Sequence, residues 1–153
     1  MAAAGSILGN AVLRKEDPGL LRGENDYIDD MDVGAKAVAF VRSTIAHGTI
    51  NSIDVGDAPN MPGVIAVYTS DNTDLPGVKG FDAFPDTFDR PPLAKGKVKF
   101  VGDIIAMIVA ETQSQAVDAA EAVFADIEPL DPVIDIASAA GAAAIHELSL
   151  IHI

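Results

Sequence analysis

The sequence predicts an α+β fold in which one main helix packs against a mixed sheet. The first observation is an uninterrupted apolar run, Ile104–Ala110, which has the length of a strand. Because the run does not alternate with polar residues, it predicts an interior strand that is buried on both faces. The second observation is the pair Thr112 and Gln115, whose spacing is that of a capping box at the start of a helix over 113–123.

The predicted helix carries an apolar stripe at helical spacing. Its members are Ala116, Val117, Ala120, Val123 and Phe124. Most of the polar side chains of this segment fall outside the stripe. We therefore expect the stripe to pack back on the sheet, so that strand, tight connection and helix form one unit.

Segments rich in β-branched residues and bounded by turn signals predict the remaining strands. With the interior strand, the predicted set is 37–42, 49–55, 64–69, 98–101, 104–110 and 124–128. Residues 57–61 fit one helical turn, and Pro62-Gly63 fits a turn into the third strand. Gly102-Asp103 is a possible turn between the fourth and fifth strands. Pro129 stops the last strand, which we predict to lie at a sheet edge.

Composition excludes several classes of function. The chain has 153 residues and 49% hydrophobic residues, which is ample for one core. A net charge of −13 makes nucleic acid and anionic membrane surfaces poor partners. The absence of cysteine rules out disulfides, iron–sulfur ligands and a cysteine nucleophile within the chain. No apolar run approaches the length of a membrane span, and the N-terminus lacks the form of a secretory signal, so we expect a cytoplasmic protein.

Two groups of side chains raise the question of catalysis. Asp29-Asp30 fits either a carboxylate site or a solvated turn, and the turn is favoured because the sequence shows no perturbing neighbours. Ser43 and His47 suggest a hydrolase triad, but no G-x-S-x-G elbow surrounds the serine. We interpret His47 as a structural side chain near a turn.

No metal site is indicated by the histidines. His47, His146 and His152 have no spacing typical of zinc ligands. The sequence thus predicts no catalytic, cofactor-binding or metal-binding residue in this chain.

Two segments lack a repeating apolar pattern. Residues 1–22 are interpreted as an extended arm, and residues 70–97 as a long loop. A loop of this length in a compact domain is usually functional or part of an interface. We expect both segments to contact other parts of a larger assembly rather than the core of this domain. The aromatic residues Phe81, Phe84 and Phe88 either pack partly on the domain, which we favour, or meet a partner.

Short motifs follow one another in an order that resembles a known family. They are RKEDP (14–18), LLRG (20–23), YIDD (27–30), FVRS (40–43), AHG (46–48), ID (53–54), PGV (62–64), RPPLA (90–94), VGD (101–103), AM (106–107) and IEPL (127–130). Over about residues 8–147 the chain resembles the α/β hammerhead domain of xanthine dehydrogenase, aldehyde oxidase and aerobic carbon monoxide dehydrogenase large subunits. Ile104 departs from the family's usual proline, and Thr44 stands where Ser-Pro is frequent.

The resemblance implies a domain organisation. Residues 1–22 would be the N-terminal arm, 23–131 the hammerhead domain, and 132–153 a linker toward a molybdopterin-binding domain that is missing here. Residues 148–153 do not continue the family pattern, so we expect the last residues to be non-native. The family's catalytic glutamate and cofactor contacts would lie in the missing part. We therefore expect the chain alone to bind no molybdenum cofactor and to oxidise nothing.

The resemblance also implies a function for the whole subunit. It would hold the molybdenum cofactor, molybdopterin, and oxidise aldehydes, N-heterocycles or carbon monoxide. Electrons would leave through iron–sulfur clusters and FAD in partner subunits or domains. This chain would be the structural and assembly domain, with the rest of the large subunit and the iron–sulfur and flavin subunits as partners.

A free-standing acidic α+β binding module without enzyme activity is the alternative. The coding sequence beyond Ile153 distinguishes the two hypotheses. A continuing frame with Gly-rich molybdopterin-binding segments supports the subunit, and a stop codon in an isolated gene supports the module.

Overall fold

A computed structural model describes residues 14–31, 33–78 and 90–145, and of Asp29 the backbone alone. The chain divides into two compact units, Met1–Ala35 and Lys36–Ile153. The predicted aromatic cluster of the long loop and the two C-terminal histidines lie outside the described residues.

The first unit contains a short helix, α1 (Asp17–Arg22), and a 3-10 turn, Ile28–Asp30. The expectation of an extended arm is therefore wrong over 17–22. Pro18 occupies the first turn of α1, and Gly23 ends it in the left-handed conformation with φ 68°. Proline at a helix start and glycine just after its end are boundary signals, and here they outweigh the polarity of the segment. None of the side chains described in this unit is buried.

The second unit contains six described strands and two described helices. In chain order they are β1 (Ala37–Arg42), β2 (Gly48–Asp54), β3 (Val64–Thr69), β4 (Lys97–Val98), β5 (Ile104–Ala110), α2 (Gln113–Glu121), β6 (Phe124–Pro129) and α3 (Ile136–Ala139). A 3-10 turn at Ala58–Asn60 confirms the predicted helical turn before β3. The α+β class with one main helix is confirmed.

The first sheet has the order β1-β5-β3, and both pairings are antiparallel. The apolar run β5 is its central strand, which confirms the predicted interior position. Val109 lies opposite Val38 of β1 and Ala66 of β3. Two residues from Val109 on β5, Met107 lies between Phe40 and Tyr68. Side chains of all three strands therefore form rows across the sheet.

The second sheet has the order β4-β2-β6 and is also antiparallel. The described strands thus form two antiparallel sheets where the sequence predicted a mixed sheet. The prediction that the strand after α2 lies at an edge is confirmed for β6.

The predicted strand over 98–101 is also wrong in its bounds, because β4 ends at Val98. The Asp103 carboxylate accepts the backbone N–H of Lys99 at 3.0 Å, which removes that donor from the ladder. The predicted turn at Gly102-Asp103 does not join two paired strands. Gly102 N–H donates to the Ser43 carbonyl at 2.7 Å, and Ser43 N–H donates to the Asp103 carbonyl at 2.8 Å.

Helix α2 begins with the predicted capping box. Gln115 N–H donates to Thr112 Oγ1 at 3.4 Å, and Thr112 N–H donates to Gln115 Oε1 at 3.2 Å. The helix packs on β1 and β5 of the first sheet. This core contains Ala58, Val67, Ala106, Ile108, Ala119 and Val123, with Ala39, Ala110 and Ala116 in an adjoining cluster.

The predicted apolar stripe of α2 is only partly right. Val117 is 42% exposed and Phe124 is 68% exposed, whereas Ala116 and Ala119 are fully buried. The helix ends at Glu121, so Phe124 already belongs to β6, where strand pairing sets its direction. The small side chain of alanine lets α2 approach the sheet closely, so alanines occupy the positions that face it.

A smaller core joins β5 to the second sheet. It contains Ala94, Val98 and Ile105. The expectation that 70–97 avoids the domain's own core is therefore wrong at its C-terminal end, where Leu93 and Ala94 are buried. Ala94 N–H also donates to the Ile104 carbonyl at 2.6 Å. This apolar pair follows Pro91-Pro92 directly, and residues of both types are frequently buried in proteins.

Candidate active site and assembly surfaces

The geometry does not support a triad at Ser43 and His47. Ser43 is buried, and its hydroxyl donates to the Ile45 carbonyl at 2.7 Å and accepts the Ile45 N–H at 3.0 Å. His47 Nδ1 lies 3.1 Å from the Asp131 carbonyl instead. The serine therefore stabilises a local turn, and no hydrogen bond connects it to the imidazole.

His47 holds the chain where it leaves the second sheet. Its carbonyl accepts the Leu130 N–H at 2.9 Å, and its Nδ1 donates to the Asp131 carbonyl, which can only accept. Nε2 is buried and has no hydrogen-bond partner among the described residues. The sequence predicted a structural histidine but not this contact, because its partners lie more than eighty positions away and no local signal reports them.

Asp30 serves as a cap rather than as part of an exposed metal site. One oxygen of its carboxylate accepts the Tyr27 N–H at 3.0 Å. Over the described ranges, no group of three histidine, aspartate or glutamate side chains is placed to hold a metal ion. The Asp29 side chain lies outside the description.

The described cavities do not fit a large anionic cofactor. One, of about 570 Å³ in the first unit, is lined by Glu16, Leu20, Glu24, Asn25, Asp26, Tyr27 and Met31. This lining contains three acidic side chains and no basic one. The Arg22 guanidinium, 2.7 Å from Glu24, lowers the pKa of that carboxyl and so favours its charged form. Negative charge on this lining would repel a phosphate-bearing ligand.

A second cavity, in the other unit, is too small for a cofactor. Its volume is about 50 Å³, and residues between Ser70 and Lys95 line it. Ligand pockets usually have volumes of roughly 300–1,000 Å³, so this cavity is too small for a large ligand. In the described part of the chain, no helix combines the length and the apolarity required to cross a membrane.

Exposed apolar side chains form a surface on the first sheet, on the face turned away from α2. We call it the outer face, and its members are Val38, Phe40, Ala66, Tyr68, Met107 and Val109. Val38 is 38% exposed and Phe40 is 42% exposed, and the other four are half-buried. The Arg42 guanidinium lies 5.2 Å from the centroid of the Phe40 ring, at the rim.

Comparison with known proteins identifies the fold. Residues 22–131 match the family described as aldehyde oxidase and xanthine dehydrogenase, a/b hammerhead domain. The chain belongs to this family. The resemblance predicted from the short motifs is thereby confirmed, and so is the hammerhead fold.

Individual relatives agree with this family. The chain is 36% identical over 135 residues to the nicotine 6-hydroxylase large subunit of Paenarthrobacter nicotinovorans, covering 85% of the chain and 16% of the relative. It is 35% identical over 123 residues to the carbon monoxide dehydrogenase large chain of Afipia carboxidovorans, covering 80% and 15%.

A solved structure gives the same result. The chain superimposes on quinoline 2-oxidoreductase from Pseudomonas putida 86 with a TM-score of 0.74 and 37% identity, covering 89% of the chain and 18% of that structure. The hammerhead chain thus spans about a sixth of the length of its relatives. It is a domain of molybdenum hydroxylase large subunits.

Proposed function

We propose that this hammerhead chain is the structural and assembly domain of a molybdenum hydroxylase large subunit and is catalytically silent by itself. The observation that carries the proposal is its coverage: residues 22–131 match the hammerhead domain, whereas the chain covers only 15–17% of the length of its relatives. In the proposed organisation, 1–22 is an arm, 23–131 is the domain and 132–153 leads toward the cofactor-binding part.

The chemistry of the whole subunit belongs to the same proposal. Molybdopterin would bind in the remainder of the subunit, and iron–sulfur clusters and FAD would lie in partner subunits or domains. The relatives' names refer to nicotine, aldehydes, quinoline and carbon monoxide. We propose a substrate within the range of aldehydes, N-heterocycles and carbon monoxide, and a cytoplasmic location that cell fractionation would test.

The first unit supports an assembly role. None of its described side chains is buried, although it carries several large apolar residues. The exposed ones are Leu21, Tyr27, Ile28, Met31 and Val33. Burying a large apolar side chain contributes about 1.5–3 kcal/mol, so this segment would be stabilised mainly by docking on another surface.

Expression in a host that makes the molybdenum cofactor tests the function. Two forms are compared: residues 1–153, and the same gene with its downstream coding sequence together with its neighbouring subunits. We expect molybdenum and dye reduction with aldehydes, N-heterocycles or carbon monoxide only in the second form. Stoichiometric molybdenum or turnover in residues 1–153 would show that the cofactor site lies within this chain. A stop codon at the end of an isolated gene would instead favour the free-standing binding module.

A further inference from the structure

The outer face has the composition of a covered surface. In an antiparallel sheet with one solvated face, polar residues normally occupy the outward positions. Here the outward positions of β1 are Val38, Phe40 and Arg42, and those of β5 are Ile105, Met107 and Val109. Among the described residues, no aspartate or glutamate occupies an outward position of β1, β3 or β5.

The chain itself covers one end of this face. Ile105 is 1% exposed because it packs with Ala94 and Val98. Two and four residues further along β5, Met107 and Val109 are only half-buried. The cover therefore stops partway along the central strand, although the apolar sequence continues.

We propose that the outer face is the docking surface for an apolar layer from the remaining part of the same large subunit. This inference rests on the proposed function and names the surface through which the domain would assemble. The occupant would present apolar side chains toward Phe40 and Val109, and a carboxylate or carbonyl toward the guanidinium of Arg42 at the rim.

The size of the face favours an occupant from the same polypeptide. Strand spacing of about 4.8 Å and a rise of about 3.4 Å per residue give the three strands a footprint of roughly 200 Å². A stable complex of separate proteins buries about 800 Å² on each partner. A small apolar face suffices when a covalent connection raises the effective concentration of its occupant. The relatives' length, about six times the matched segment, provides the chain for such an occupant.

Cysteine labelling provides the test, since the chain has no native cysteine. Phe40→Cys places a thiol on the outer face, and Glu121→Cys places one at the exposed end of α2 as the matched control. Val38→Cys repeats the experiment with a smaller change in packing. Maleimide labelling of each site is measured by peptide mass spectrometry in residues 1–153 and in the complete subunit.

We expect labelling at position 40 to be roughly tenfold or more slower in the complete subunit than in the free chain, because a covered thiol reacts only when the cover opens. Labelling at position 121 calibrates reagent access and should change far less. Equal reactivity of position 40 in both forms would overturn the proposal.

The same experiment separates the other occupants. Protection of position 40 in a dimer of the free chain would assign the face to a second copy. Recovery of labelling in the complete subunit after deletion of residues 1–35 would assign it to the first unit. Either outcome overturns the proposal. The molybdenum content of the preparation tests the proposed function separately. A molybdenum-loaded subunit in which position 40 stays reactive would support the proposed function and overturn the proposed docking surface.

Discussion

The two faces of the first sheet differ in what covers them, although the same strand supplies both. On the helix side, Ala106, Ile108 and Ala110 of β5 are completely buried beneath α2. On the outer face, Met107 and Val109 are half-buried. The β5 side chains are apolar on both faces. The difference in their burial therefore comes from the elements that pack on each face and not from the strand itself.

The comparison also separates two uses of apolar surface. The helix side is built largely from alanines, with Ala116 and Ala119 on α2, so packing there depends on close approach. The outer face carries larger side chains, such as Phe40 and Met107, and α2 packs on the opposite face. The helix side therefore stabilises the domain itself, whereas the outer face is the surface that we propose for assembly. Three predictions for substitutions in the isolated chain test this difference between the two faces.

The largest effect is expected for Ile108→Ala. Removing a fully buried isoleucine leaves a cavity and should lower the free energy of unfolding by about 2–5 kcal/mol. The matched change on the outer face, Val109→Ala, should cost about 1 kcal/mol, since fewer carbons are removed and the site is half-exposed. Urea unfolding followed by circular dichroism measures both. Equal losses would mean that the outer face is already part of the domain's core.

A smaller effect is expected for Ala119→Leu. The added carbons have no space between α2 and the sheet, so overpacking should cost about 1–3 kcal/mol. Val117→Leu, two positions away on α2 and 42% exposed, is the control and should stay within about 0.5 kcal/mol of the original chain. Thermal unfolding measures the stability of the two variants. Equal stability would contradict close packing between α2 and the sheet.

The smallest effect is expected for Val38→Thr on the outer face. Threonine keeps the β-branched shape that suits a strand, and the side chain is partly in water. The free energy of unfolding of the isolated chain should therefore change by no more than about 0.5 kcal/mol. A loss above 1.5 kcal/mol would show that the position is covered within the chain itself. In the complete subunit the same substitution should be costlier, because the hydroxyl would enter an apolar contact.

Local signals explain which parts of this fold the sequence predicts well. The capping box joins Thr112 to Gln115, only three positions away, and the helix begins where this pair predicts. The interior strand is read from one continuous apolar run, and β3 has the predicted bounds, 64–69. The order of the short motifs also indicates the hammerhead family, which the match over residues 22–131 confirms.

Non-local contacts explain what the sequence left undecided about the candidate site. The imidazole of His47 hydrogen-bonds to the backbone carbonyl of Asp131, 84 positions along the chain. The outer face combines Phe40, Met107 and Tyr68, which come from three separated segments. The alternation in β1, with Val38 and Phe40 on one side, is the signal that points to this face once a strand pairing is known.

The sequence by itself determined the family, the class of fold, the central strand and the start of the main helix, because residues within a few positions of one another produce those features. The tertiary structure alone decided that the strands divide into two antiparallel sheets and that alanines rather than Val117 face the core. It also decided that one side of β5 remains partly open. Strand pairing and burial depend on segments that meet only in the folded chain, such as Gly48 with Pro129, and no local pattern specifies which of them will meet.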